Sequence, residues 1–332
     1  EAIEIFRELS SLDEDREISL VHLGKILKTV GQSEEAIDRF HQAIEGDSSL
    51  GLAYWELANL KTYRFTDAEI SSMQSVLQTG KINAVNTSLI EFALGKALED
   101  KRQFDESFKY YQSANDAYKR LQNYRYSSQT SALKSFFNQT HFDSVGAGGS
   151  DSEAPIFVVG LPRSGSTLVE QILTSHSQVD ATMELTGITS ISRELNGSSL
   201  PGKGQYPQAL GKLDTGQIKA LAEKYLKSTE TYRNGAAFFV DKAPGNFHHI
   251  GLIKTLFPGA RIIDIRRNPM ASGWSLYRHF FAESFMFSYD LASIGKYYND
   301  YIELMDHWHK VIPGQVLTLN YEDLVGDLSA NV

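Results

Sequence analysis

Apolar residues in the N-terminal part of the chain fall at helical spacing and recur at a fixed distance. Ala2, Phe6 and Leu9 return 34 residues later as Ala36, Phe40 and Ala43. Leu20, Leu23, Gly24 and Leu27 supply one helix of a pair, and Ala36, Phe40 and Ala43 supply the other. Small residues at Gly24, Ala36 and Ala43 let the paired backbones approach, while Phe40 fills the space between them. The arrangement returns as Leu94, Gly95, Leu98, Tyr111 and Ala114, with Ser107 where an alanine is expected. The stretch around Tyr54, Leu57 and Ala58 is irregular, because Ala68 falls two residues early for the period. Past residue 155 the pattern changes. Short runs rich in β-branched and aromatic residues predict strands near 156–160, 237–240, 261–266 and 315–321. Helical patterns occupy 166–175, 216–229, 247–257, 270–281 and 290–311. Alternating strands and helices predict an α/β fold with a mostly parallel sheet flanked by helices. Such sheets bind ligands at the carboxyl ends of their strands. The segment 187–212, rich in Gly, Ser and Pro, has little periodicity and is expected to be a substrate loop or mobile.

The 34-residue period is that of tetratricopeptide (TPR) repeats, so residues 1–142 are expected to form a TPR-like all-α repeat domain. Such repeats stack into a concave surface. A groove for a peptide or partner protein, a buttress for the second domain and a homodimer contact are the roles left open. Gly146, Gly148, Gly149 and Ser150 cannot pack a core, which makes 143–154 the expected linker and 155–332 the α/β domain. At 332 residues the chain has room for about two domains. It begins with Glu1, in the middle of a repeat, and both ends are expected to be cut.

Composition narrows the chemistry. Without cysteine there is no disulfide framework, no thiolate metal site and no cysteine nucleophile. No run is long and apolar enough for a membrane span, and no signal peptide is visible, which favours a cytoplasmic protein. The net charge of −9 argues against nucleic acid as the main partner. The excess is spread over both parts, so an anionic ligand needs a local cationic pocket working against the overall field. Arg102, Lys109, Lys119 and Arg120 read as a solvated helix face.

One segment offers such a pocket. The stretch from Pro155 to Leu168 reads as a strand near 156–160, a Gly/Pro/Ser turn and the start of a helix. Unpaired N–H groups at a helix N-terminus, aided by the helix dipole, hold oxyanions. Gly160 and Gly165 have the spacing of a phosphate-binding P-loop, but Ser166 stands where that loop has lysine. The cation, Arg163, lies inside the turn. A ligandless strand-to-helix turn is the alternative. Two further strand ends carry cations: Lys242 in Asp241-Lys242-Ala243-Pro244-Gly245-Asn246, and Arg266 and Arg267 before Asn268-Pro269.

The turn Pro162-Arg163-Ser164-Gly165-Ser166-Thr167 resembles the 5′-phosphosulfate loop of sulfotransferases, which use PAPS (3′-phosphoadenosine 5′-phosphosulfate). Its form is closer to the tyrosylprotein sulfotransferases and their TPR-bearing bacterial relatives than to the cytosolic enzymes. The resemblance implies that Arg163, Ser164, Gly165, Ser166 and Thr167 hold the 5′-phosphosulfate. It assigns Arg267 and Ser275, eight residues later, to the 3′-phosphate, and Tyr321 to the wall of the cofactor pocket. Lys242 stands at the spacing of a catalytic lysine. Cytosolic enzymes place a catalytic histidine two residues further on, but here that position is Pro244, which cannot take a proton. The tyrosylprotein enzymes use a glutamate 21 residues after the loop arginine, which is Glu184 here. His248 and His249 are the competing bases, and Glu184 as a helix cap is the alternative reading. The resemblance also implies that the segment after Tyr321 leads into a further helical part, so the domain is expected to be C-terminally truncated.

The function implied is transfer of a sulfuryl group from PAPS, without a metal, to an acceptor hydroxyl on a protein tyrosine, a carbohydrate or a small molecule. Glu184 is the expected base, with Arg163 and Lys242 as catalytic cations. A P-loop kinase using ATP and a TPR adaptor with an inactive sulfotransferase domain remain as alternatives.

Overall fold

The computed structural model describes residues 2–10, 15–145, 148–182, 184–197 and 206–331. It divides into two compact units, Glu1–Arg125 with Tyr277–Ile294, and Tyr126–Leu276 with Gly295–Val332. The expected linker at 143–154 therefore does not separate them. Gly148 and Gly149 are buried. A Cβ on Gly149 would sit 2.4 Å from the Leu256 carbonyl oxygen, which accepts the Ser150 N–H at 2.8 Å. Only a bare backbone fits at Gly149 against that helix end, so this glycine is a packing residue. Residues 146 and 147 lie outside the described residues.

The first unit is helical. Arg16–Thr29 packs on Ser33–Gly46, and Ala84–Asp100 on Phe104–Gln122. The small residues act as their spacing suggested. A Cβ on Gly24 would meet the Phe40 ring at 2.5 Å, and one on Gly95 the Tyr111 ring at 2.7 Å. Ser107, buried in place of alanine, donates its hydroxyl to the Gly95 carbonyl at 2.6 Å, so the burial of a polar group is compensated. In the middle, Gly51–Ala58 is followed by Asp67–Gln78, which opens on a Thr66/Glu69 capping box. Ala68 is exposed there, and Ile70 and Met73 are buried instead. Ile70 stands 34 residues after Ala36 and, like it, is buried.

The second unit is built on a parallel five-stranded sheet of order β2-β3-β1-β4-β5. The strands are β1 (Pro155–Gly160), β2 (Val179–Ala181), β3 (Phe238–Lys242), β4 (Arg261–Arg266) and β5 (Val316–Asn320). Every residue of β1 is buried, which accounts for its unbroken apolar run. Phe157 and Val159 pack in one cluster with Tyr225, Phe257 and Trp308. Ile156 and Val158 pack in a second with Val169 and Leu324. Helices thus cover both faces. After β1 the chain runs first to β2 and β3 on one side, then to β4 and β5 on the other. This reversal opens a crevice at the carboxyl end of β1.

Two expectations change. The three-residue β2 is too short to leave a pattern in the sequence. Gly187–Asn196, inside the expected loop 187–212, is a helix that buries Ile188 and Ile191. The Gly/Ser/Pro density after it concealed that spacing. Residues 198–205 lie outside the described residues.

Candidate active site

The crevice collects side chains from four strand ends. β1 ends at Gly160, whose φ of 146° and close approach to the Ile265 carbonyl (2.5 Å from a Cβ) exclude any side chain. The turn then passes through Arg163 at φ 69° and Gly165 at φ 104°, and Ser166–Thr174 begins as a helix. Its first-turn N–H groups have no preceding carbonyl within the helix to bond.

The cations converge on this turn. Arg267 donates from Nη1 to the Arg163 carbonyl at 3.1 Å and stacks on the Tyr321 ring at 4.8 Å. Tyr321 in turn lies against the loop, since a Cβ on Gly165 would be 2.4 Å from its ring. Arg163 Nε donates to Ser275 Oγ at 3.3 Å. The proposed 5′ and 3′ elements therefore meet. The adjacent Arg266 goes elsewhere, donating to buried Asp264 at 2.8 Å. Asn268 accepts the N–H groups of Met270 and Ala271, capping Pro269–Tyr277, the helix that carries Ser275.

Three buried polar atoms beside the turn lack a partner: Ser164 Oγ, Arg267 Nε and Ser272 Oγ. Leaving such atoms unpaired is costly unless a ligand supplies oxygens. Together with two guanidiniums and an open helix N-terminus, they fit a ligand with several phosphate-type oxygens.

Lys242, at the end of β3, forms a second cluster. Its side chain is 11% exposed, and Nζ donates to Glu184 Oε1 at 2.7 Å. Glu170 Oε2 lies 3.9 Å from the same nitrogen. Glu184 itself is 62% exposed, so a carboxylate held by a buried cation still faces outward. Below Lys242, Asp241 is fully buried and accepts the Tyr225 hydroxyl at 2.7 Å, while its other oxygen is unpartnered. Burial pushes Asp241 up to about 7; the Tyr225 bond opposes this and the charges of Glu170 and Glu184 add to it. Burial also raises Glu170, with Lys242 pulling it back. One lysine thus answers three carboxyl groups.

His248 and His249 are pushed down by burial, to about 4 and about 3. His248 Nδ1 donates to the Gly245 carbonyl at 3.3 Å, and His249 Nδ1 is 3.4 Å from the Tyr206 hydroxyl. Burial makes both weak proton acceptors, and each ring already faces a polar partner, His248 within its own loop and His249 at Tyr206, which disfavours them as bases.

The crevice brings together Arg163, Ser275, Arg267 and Tyr321, and separately Lys242 and Glu184. Sequence reasoning passed over Glu170 and the Asp241–Tyr225 pair. Glu170 left a signal, being the one charged residue of Ser166–Thr174. Asp241 left none, because its partner Tyr225 comes from the distant helix Thr215–Thr229.

Fold and site define a parallel α/β domain with an arginine-lined turn at its switch point. A family model described as "Sulfotransferase family" matches residues 155–332, more than half of the chain, and the chain belongs to that family. An uncharacterized protein of Aquifex aeolicus (strain VF5) is 32% identical over 314 residues, covering 92% of this chain. This chain spans 40% of that relative's length. Among solved structures, the sulfotransferase STF9 of Mycobacterium avium aligns at 14% identity with a TM-score of 0.35, covering 81% of this chain and 82% of that one. STF1 of Mycobacterium tuberculosis H37Rv aligns at 14% identity with a TM-score of 0.33, covering 86% of each chain. No described helix is long and apolar enough to cross a membrane.

Proposed function

We propose that this chain transfers a sulfuryl group from PAPS to an acceptor hydroxyl. The observation that carries the reading is the joint placement of a guanidinium-lined turn and a Lys242–Glu184 pair at adjacent strand ends. PAPS supplies an activated sulfuryl group on a phosphate leaving group. In this reading the N–H groups of Gly165, Ser166 and Thr167, the Ser164 hydroxyl and the Arg163 guanidinium hold the 5′-phosphosulfate, the Ser164 N–H being bonded to the Leu161 carbonyl. Arg267 and Ser275 hold the 3′-phosphate, and Tyr321 fixes the plane of Arg267 by stacking.

Glu184 takes the proton of the acceptor hydroxyl on its exposed carboxylate. Lys242 Nζ and Arg163 neutralise charge developing on the leaving oxygen and the transferring group, as preorganised cations do in phosphoryl transfer. Glu170 keeps Lys242 in place when Glu184 turns toward the acceptor. The period of the N-terminal helices supports TPR-like repeats, and a partner-binding role for them belongs to the same proposal.

The test is PAP release from PAPS in the presence of a hydroxyl acceptor, comparing the parent chain with Glu184→Gln. Turnover should fall about 10²–10⁴-fold, the usual contribution of a general base, with PAP affinity within twofold. Full turnover in Glu184→Gln would remove the base assignment.

A further inference from the structure

β4 and β5 leave the sheet side by side, with Arg266 in register with Asn320. The two turns that follow therefore run together. Tyr321, one residue past the register pair, stacks its ring against the Arg267 guanidinium at 4.8 Å. Glu322, two residues past it, accepts the Asn268 N–H on Oε1 at 3.0 Å. Two consecutive residues of one strand end thus grip two consecutive residues of the other.

The second grip takes up the last backbone donor at the start of the helix Pro269–Tyr277. Pro269 has no N–H. The N–H groups of Met270 and Ala271 go to Asn268 Oδ1 at 3.0 and 3.2 Å, and that of Ser272 goes to the Asn268 carbonyl at 2.9 Å. With these donors engaged, an anion beside this helix start has to be held by side chains. Those on offer are Arg267, whose Nε is unpartnered, Ser275, and Ser272 one helical turn before it, whose Oγ is unpartnered. Their placement depends on how the helix leaves β4, and Asn268 is the pivot. The Glu322 carboxylate goes to this amide, while the neighbouring Arg267 guanidinium goes to the neutral Arg163 carbonyl. Among the described residues no carboxylate pairs with that guanidinium, so its charge stays available to a ligand.

We infer that Glu322 is a positioning residue: by holding the Asn268 N–H it sets the angle of the helix Pro269–Tyr277, and with it the placement of Arg267 and Ser275 around an anion. It acts through Asn268 rather than on the ligand. The clamp needs only the bonds above; its bearing on a nucleotide 3′-phosphate rests on the sulfotransfer reading. The charge of Glu322 works against such a ligand while its bond to Asn268 works for it. Two substitutions separate these effects. Glutamine keeps an oxygen for the Asn268 N–H and drops the charge; alanine drops both.

The test compares Glu322→Gln and Glu322→Ala, at an exposed position, in the full chain. Calorimetry reads the affinity for PAP and for adenosine 5′-phosphate, which lacks the 3′-phosphate. Nuclear magnetic resonance reads hydrogen exchange at the Asn268, Met270 and Ala271 amides without ligand. Glu322→Gln should bind PAP as tightly as the parent or tighter. Glu322→Ala should bind PAP roughly fivefold more weakly than Glu322→Gln, the worth of one ordinary hydrogen bond. The two variants should hold adenosine 5′-phosphate alike, and exchange at Asn268 should quicken in Glu322→Ala alone. Equal PAP affinity in the two variants, or a loss in Glu322→Ala that adenosine 5′-phosphate shares, would overturn the positioning role and leave the sulfotransfer reading standing. Unchanged exchange in Glu322→Ala would overturn the clamp itself. Faster exchange in Glu322→Ala, with a parent that binds no PAP, would uphold the clamp and count against the sulfotransfer reading.

Discussion

Asp241→Asn should remove a pH dependence that the parent protein carries in its sheet. The carboxyl is fully buried and its pKa is raised from 3.8 to about 7. An acid whose folded value lies above its unfolded value binds more protons when folded throughout that window. Stability therefore falls as pH rises from about 4 to about 7, and levels off above it. At 1.36 kcal/mol per unit, about 4 kcal/mol separates the extremes, and the linkage relation puts about 2.5 kcal/mol of it between pH 5 and pH 8. The amide introduced by Asp241→Asn would keep the bond from Tyr225 and hold no charge. Urea unfolding in a Trp55→Phe background reports on Trp274 and Trp308, which both belong to the sheet unit. The stability of Asp241→Asn relative to the parent should rise by about 2.5 kcal/mol between pH 5 and pH 8. A difference between the two proteins that does not change with pH would refute the reasoning, because it would mean that Asp241 is ionised or neutral across the whole range.

Two further outcomes are expected at the site. Gly165→Ala forces a side chain into φ 104° and onto the Tyr321 ring, which supports Arg267; at a strain of about 1–3 kcal/mol, PAP affinity by calorimetry should drop roughly 10–100-fold while the far-ultraviolet circular dichroism stays unchanged. Glu170→Gln removes one of the carboxylates that hold Lys242, so kcat should fall on the order of tenfold with PAP binding equal or tighter, since a negative charge leaves the neighbourhood of an anion.

Much of this was legible in the sequence, for physical reasons that differ by element. β1, β3 and β4 are buried, so their apolar runs were plain, and the turn after β1 announced itself through glycines that no side chain could replace. The paired small and large residues of the helical unit were legible because Gly24 and Phe40, or Gly95 and Tyr111, have to interlock. Gly149 misled, since a glycine packed on a carbonyl and a glycine in a linker look alike in one dimension. Helix Gly187–Asn196 was hidden by the composition that follows it. Asp241 could not be read, because its pKa comes from burial, from Tyr225 and from charges that only the fold brings near. The split of Arg266 toward Asp264 and Arg267 toward the turn needed the register of β4 against β1.

The most direct test of the central claim is a calorimetric titration of the chain with PAP, with ATP and Mg²⁺ titrated in parallel. The predicted result is saturable PAP binding that Arg267→Ala weakens about tenfold or more, as expected for a lost charge-assisted contact, and no heat from ATP with Mg²⁺. Binding of ATP with Mg²⁺ and silence with PAP would contradict it.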